Sequence, residues 1–337
     1  MKTRTTLVLA ALGAVVLAGG WLLGPGATPA SRVMVPPGTL VFPGLAAKLQ
    51  TATEVDVTTK GATTRITKVG AVWGLADRGG YRVQQDKLRE LLTGMTELRI
   101  TEPRTADPTE YNKLGVDDPN SPTASADLLR LLDAQGKPIA ELITGHRRFR
   151  TAGNLPESLY IRRPGEAQSW LAEGRLPVDA DPQLWLERDI ANIPAAQVVK
   201  VAATRGDTTL EFARDGAKTA LVSPAEHPKL DDYRVEDVFR AMEQLTLSDV
   251  EPASKPRDGK IGVAVYTLAD GTVITVTLFH ADKDIWAEFA ATGAKAASLQ
   301  AGFVGWRFQL GSWKEKSFLP VMDDLKADEP NKPAPAP

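Results

Sequence analysis

The 337-residue sequence contains no cysteine. That excludes disulfides, thiol catalysis, zinc fingers, iron–sulfur clusters and a cysteine-anchored lipoprotein. Histidine is almost as scarce. His146, His227 and His280 are the only three, and none has a second histidine within metal-ligand spacing, so no metal centre is expected. An excess of one charge is also missing: 40 Lys+Arg against 42 Asp+Glu give 40 − 42 = −2. With no basic block, nucleic acid is not an expected partner. The phosphate-binding G-x-x-x-x-G-K-[ST] is absent, so the chain is not itself a transport ATPase. So are G-x-G-x-x-G after a strand, G-x-S-x-G, H-E-x-x-H and an EF-hand loop. No enzyme and no cofactor are expected on this ground.

One long apolar run is present. Lys2 and Arg4 precede an uncharged stretch from Leu7 to Leu23, with Trp21 near its far end. From Thr5 to Leu23 it would extend ~28 Å as a helix, enough for a hydrocarbon core of ~30 Å. The leading positive charges place residues 1–23 as a cytoplasmic stub and transmembrane anchor in an inner membrane. The body would then be periplasmic or otherwise extracytoplasmic. The rival reading is a cleaved signal peptide. The run is long for that, and the following Gly24-Pro25-Gly26-Ala27-Thr28-Pro29-Ala30 lacks an A-x-A site. No later run approaches the ~18 apolar residues needed to span again.

Residues 24–52 are rich in proline and glycine and read as a linker. Residues 323–337 end in a polar, proline-rich stretch and read as a disordered tail. Between them the chain reads as two related units, 53–194 and 195–322. Leu88, Leu91, Leu92, Met95 and Leu98 form an apolar stripe of helical period, and Val235, Val238, Phe239, Met242 and Leu245 repeat it 147 positions on (235 − 88 = 147). Short strand patterns around Val55–Val57 and Thr63–Thr67 recur near Val201 and Thr209–Ala213. Strand–turn–strand patterns follow each stripe, at 128–143 and at 263–279, the second with Asp270-Gly271 at its turn. Further strands are expected at Leu159–Ile161 and Ile285–Ala287. The predicted class is α+β: an N-terminal transmembrane helix, then two tandem repeats of mainly antiparallel sheet, each with one amphipathic helix.

Several segments carry a resemblance. After the anchor come Leu40-Val41-Phe42-Pro43-Gly44-Leu45, Val72-Trp73-Gly74-Leu75, the Leu88–Leu98 helix, Tyr160-Ile161-Arg162-Arg163, Trp185-Leu186-Glu187-Arg188-Asp189 and Ile193-Pro194. In this order they resemble the bacterial domain-of-unknown-function family numbered 4340, over about residues 40–322. The resemblance implies no catalytic activity and no site residues. Its members are described beside genes for gliding-type or uncharacterised ABC transport systems, which implies an accessory envelope protein with permease and ATPase subunits as partners.

The sharpest charge feature is Arg147, Arg148 and Arg150, with Arg162 and Arg163 nearby in sequence. If their strands are neighbours, these guanidinium groups share one sheet end and suit an anionic headgroup or an acidic partner loop. The alternative is a solvated hairpin. The carboxylate pairs Asp117-Asp118, Asp179-x-Asp181, Asp231-Asp232 and Asp323-Asp324 sit beside turn or helix-start signals, where capping is expected. Trp286, Trp306 and Trp313, with Phe303, Phe308 and Phe318, read as an aromatic core where the last strands close, or else as an aromatic groove. The functional expectation is a non-enzymatic, membrane-anchored extracytoplasmic accessory protein, auxiliary to an ABC-type transport system. An envelope glycan- or lipid-binding module is the second reading, and a hydrolase using dispersed carboxylates the third.

Overall fold

The computed structural model describes residues 35–148, 157–281 and 283–328. The expected anchor, Arg150 and the residues after Asp328 lie outside them. Among the described residues no helix is long and apolar enough to cross a membrane. The first half contains β1 (Thr39–Leu40), α1 (Leu45–Lys48), β2 (Ala52–Thr59), β3 (Ala62–Val69), β4 (Val72–Leu75), β5 (Tyr81–Arg82), α2 (Gln85–Glu97), β6 (Arg99–Pro103), α3 (Tyr111–Leu114), β7 (Asp127–Asp133), β8 (Pro138–Arg148), β9 (Ser158–Arg162) and β10 (Ser169–Glu173). The connecting strand β11 (Asp189–Ala191) leads to β12 (Val198–Arg205), β13 (Thr208–Asp215), β14 (Lys218–Ser223), α4 (Asp232–Phe239), β15 (Leu245–Thr246), β16 (Asp249–Pro252), β17 (Lys260–Leu268), β18 (Val273–Ala281), β19 (Asp284–Thr292), α5 (Ala297–Phe303), β20 (Trp306–Leu310), α6 (Lys314–Phe318) and α7 (Met322–Leu325).

Eighteen of the strands form two large antiparallel sheets, and β11 and β15 pair with each other. The first runs β1-β6-β10-β9-β8-β7-β2-β3-β4-β5, the second β14-β13-β12-β17-β18-β19-β20-β16. Without its two-residue end strands, the first sheet has the strand order of the second, read from the other edge. The correspondence reaches a local irregularity. Ala52 pairs with Asp133 and Glu54 with Leu132, leaving Thr53 as the extra residue of a bulge. Val198 pairs with Leu268 and Lys200 with Thr267, leaving Val199 in the same place (198 − 52 = 146). A bulge twists and bends its strand, so its repetition marks one backbone used twice.

Alternation builds the sheets. In β17, Gly262, Ala264, Tyr266 and Leu268 are buried, while Val263, Val265 and Thr267 face partly outward. Each main helix lays its stripe on its sheet: Leu88, Leu91 and Met95 of α2, and Val235, Val238 and Phe239 of α4, are buried. Burying such a side chain contributes ~1.5–3 kcal/mol. Asp231 caps α4, accepting from the N–H groups of Tyr233 and Arg234 at 2.9 and 3.2 Å. Met242 and Leu245 are buried as the stripe predicts, yet lie beyond the helix. The chain turns at Gln244, whose φ is +44°, and carries Leu245 into β15 against β11.

The two sheets are separate, but one continuous cluster of buried apolar side chains runs through both halves. Arg78 grips Asp249 with two hydrogen bonds of 2.6 and 3.0 Å across the joint. The Tyr81 ring meets Trp306 edge-on at 5.0 Å. Two expected boundaries differ. Within residues 39–48, read as linker, the chain forms β1 and α1: Val41 and Leu45 are buried in the core, and Gly38 and Gly44 turn the chain with positive φ. Residues 323–325, read as tail, belong to α7, held by buried Leu325.

Candidate functional site

The arginines among the described residues do not form one patch. Strands β8 and β9 are neighbours, but antiparallel: Ile143 faces Arg162 and Arg148 faces Ser158. Arg147 and Arg148 therefore sit at one end of the pair and Arg162 and Arg163 at the other. Arg147 donates to the carbonyls of Leu176 and Val178 at 2.6 and 3.3 Å. Arg162 donates to the Val116 carbonyl at 2.9 Å and lies 4.5 Å over the Tyr111 ring. Arg163 donates to the Val41 carbonyl at 2.7 Å. These three guanidinium groups tie loops to the sheet, and only Arg148 stands exposed with no such bond among the described residues.

The carboxylates are occupied locally. Asp231 and Asp181 cap helical turns, Asp181 accepting from the Gln183 N–H at 2.9 Å. Asp179 pairs with Lys87, Asp118 accepts from the Asn120 N–H at 3.0 Å, and Asp324 pairs with Lys316 at 2.9 Å. The histidines have separate surroundings: His146 beside Gly115, His227 near the Pro228 carbonyl, and His280 3.8 Å from Glu315. No cluster of three His, Asp or Glu able to hold a metal occurs among the described residues. The late aromatics divide. Phe303, Phe308, Phe318 and Trp286 are buried, and Phe289 joins the first three at ring distances of 5.2–6.1 Å. Trp306 is half-buried against the core, and Trp313 is 71% exposed.

Trp313 marks a groove of about 600 Å³ between α4 and the α6–α7 segment. Tyr233, in the first turn of α4, also lines the groove and is 88% exposed. The same lining holds Asp237 and Ser317; the buried Ser317 hydroxyl donates to the Asp237 carboxylate at 2.5 Å. Lys314 donates to the Ala241 carbonyl at 2.7 Å. Burial pushes its amine below the ordinary lysine range, while the Asp237 and Glu243 carboxylates pull the other way. Glu243 accepts the Ala195 N–H at 2.8 Å, and this bond holds its carboxyl below the ordinary range against the effect of burial. The chemistry is that of a fixed polar floor between two aromatic rings. Sequence reading passed over Tyr233, Asp237, Lys314 and Ser317. One signal was available for Asp237: it stands 147 residues after Glu90, which occupies the same stripe-facing turn in the first half (237 − 90 = 147).

The first half has the equivalent groove in reduced form, about 330 Å³. There Glu90 pairs with Arg175 at 2.7 Å, and no aromatic residue lines it.

The family model for a domain of unknown function, DUF4340, matches residues 73–288. The chain belongs to the DUF4340 family. No curated protein matches it. The DUF4340 match begins in β4 and ends in β19, so it spans the joint between the halves. Tyr233 and Asp237 fall inside the matched region, and Trp313, Lys314 and Ser317 beyond it.

Proposed function

We propose that this DUF4340 protein is a non-enzymatic accessory protein. Its N-terminal apolar run anchors it in the inner membrane with the body outside the cytoplasm, where it serves an ABC-type transport system by binding. The groove of the second half is the observation that supports binding over chemistry. Its hydroxyl, carboxylate and amine are engaged with partners that hold them still. Ser317 donates a hydrogen bond to Asp237, and Lys314 donates one to the Ala241 carbonyl. A nucleophile must reach its substrate, and the Ser317 hydroxyl is buried with its one proton committed to Asp237. Two solvent-facing rings over such a floor are a recognition surface.

The test is affinity purification of the full-length protein from its own membranes in mild detergent, with mass spectrometry of what accompanies it. The control replaces residues 1–30 with a cleavable signal peptide. Co-purification of a permease and an ATPase with the anchored form alone is expected. Recovery of the anchored protein without either subunit overturns the transporter assignment.

A further inference from the structure

Trp313 is placed as a platform. A Cβ built on Gly311 would lie 1.8 Å from Cζ3 of the indole and 2.1 Å from Cη2. The ring therefore lies flat on the Gly311 backbone, in space any other residue would fill. No positive φ accounts for this glycine. One indole face is seated on the chain, and 71% of the residue remains exposed. A large aromatic held this way has lost its rotamer freedom before any ligand arrives, which reduces the entropic cost of binding. Tyr233 supplies a second exposed ring on the facing helix.

The charges lining the groove balance. Arg234, Lys314 and Lys316 stand against Asp237, Asp323 and Asp324. Four of the six are also paired within the chain, while Lys314 is bonded to the Ala241 carbonyl and Asp237 to the Ser317 hydroxyl. Arg234 holds Asp328 through bonds of 2.9 and 3.0 Å, Lys316 holds Asp324, and Lys326 holds Asp323. With equal charges of each sign, all of them engaged within the chain, the groove offers no surplus charge to a ligand of either sign. A neutral ligand rich in hydroxyl groups can use the remaining lone pairs and N–H groups as they stand. A flat apolar face with a polar edge is the complement of an exposed ring beside fixed polar groups. The pyranose ring of a saccharide has both.

We infer that the groove between α4 and α6–α7 is a saccharide-binding site for uncharged glycan, with Trp313 as its stacking platform, Tyr233 as the opposing ring, and Gly311 as the positioning residue that seats the indole. The reduced groove of the first half, without aromatics, has no such role. This site is independent of the transporter assignment, since it needs no partner subunit.

Isothermal titration of the full-length protein in detergent, with chitotetraose, cellotetraose and maltotetraose as separate probes, tests it. At least one is expected to bind with a millimolar or tighter Kd. Trp313→Ala and Tyr233→Ala are each expected to weaken that binding at least tenfold. Both residues are exposed, so unchanged thermal unfolding should confirm intact folds. Gly311→Ala keeps every groove side chain and displaces the indole, so it too is expected to weaken binding. Glu90→Gln, in the first-half groove, is expected to leave it unchanged. No heat from any probe at 5 mM (roughly the weakest Kd worth ~3 kcal/mol) overturns the inference. Binding that survives Trp313→Ala, or binding only of a synthetic peptide with the sequence of residues 326–337, overturns it equally. Co-purification with transporter subunits bears on the accessory role and leaves this result untouched.

Discussion

Gly94 lies inside α2, where glycine is normally a liability, and the structure makes its replacement worse. In an open helix, Gly→Ala stabilises by about 0.8–1 kcal/mol through backbone entropy. Here a Cβ on Gly94 would sit 2.2 Å from the Arg175 carbonyl oxygen and 3.0 Å from Cδ2 of Leu176. The obstacle is backbone, so relief requires moving the 174–176 segment by more than about 1 Å to reach ordinary contact. That segment is held on both sides. Arg175 pairs with Glu90 at 2.7 Å, the Leu176 carbonyl accepts from Arg147 at 2.6 Å, and the Leu176 side chain is buried. Overpacking of this kind costs about 1–3 kcal/mol, and loss of one charged hydrogen bond about 1.5–3 kcal/mol more if the segment lifts away. The propensity gain offsets only part of this, so Gly94→Ala should destabilise by roughly 1–3 kcal/mol. Urea unfolding followed by tryptophan fluorescence would read this as a lower midpoint at unchanged slope. Thr93→Ala, on the exposed neighbour, should be neutral or slightly stabilising. Stabilisation by Gly94→Ala comparable to that of an open helix would refute the close approach.

Three further outcomes follow from buried polar groups. Arg307 is 3% exposed, held by Glu251 at 2.9 Å, by Glu288, and by the carbonyls of Lys255 and Ala253 at 3.1 and 3.2 Å. Arg307→Met should cost about 3–5 kcal/mol, moderated because Arg257 also holds Glu251; a thermal shift corresponding to less than about 1 kcal/mol would contradict this. The Tyr266 hydroxyl is buried with no protein partner among the described residues. Tyr266→Phe should therefore be neutral or stabilising, and a loss above about 1 kcal/mol in urea unfolding would show a partner that the geometry lacks. The Asp127 carboxyl is raised above 3.8 by burial and by the Asp179 charge, against a hydrogen bond with Thr59 and the Arg147 charge. The folded state thus holds this proton more tightly than the unfolded one, and stability is lost as pH rises from 3.8 through the folded value. Asp127→Asn should raise the melting temperature at pH 7, with the gain closing toward pH 4; a gain that grows in acid would reverse the sign.

What was legible in the sequence was the part governed by local periodicity. The stripes beginning at Leu88 and Val235, and the alternation in β17 and β18, each follow from one face meeting the core. Strands β10 and β20 were not legible. Ser169, Trp170, Leu171 and Ala172 are all buried, so the period of two vanishes. Strands β6 and β16 return to distant edges of their sheets, a choice made by topology. The arginine patch failed for a related reason: adjacency of β8 and β9 was correct, but antiparallel direction sends the two clusters to opposite ends. The groove was invisible because Tyr233 and Trp313 are 80 residues apart (313 − 233 = 80) and meet only through packing of α4 against α6. The family resemblance needed none of this, since it rested on local segments.

The two halves diverge at one point, and the cause can be traced. The last strand of each ends at an equivalent glycine, Gly174 after β10 and Gly311 after β20. In the first half the chain then runs close over α2, with the Arg175 carbonyl against Gly94, and the groove is largely filled. In the second half the residue 147 positions after Gly94 is Ala241 (241 − 94 = 147). Its Cβ is incompatible with that same close path, and α4 has already ended at Phe239. The chain instead turns at Gly311, lays Trp313 on it, builds α6, and ties Lys314 to the Ala241 carbonyl. At this aligned position the half with the smaller groove has a glycine and the other an alanine. It follows that Gly94→Ala, besides destabilising the first half, should loosen the 174–176 segment toward the open arrangement. Faster amide hydrogen exchange confined to residues 174–178 would show that release, and unchanged protection there would mean the glycine is not what keeps the first groove shut.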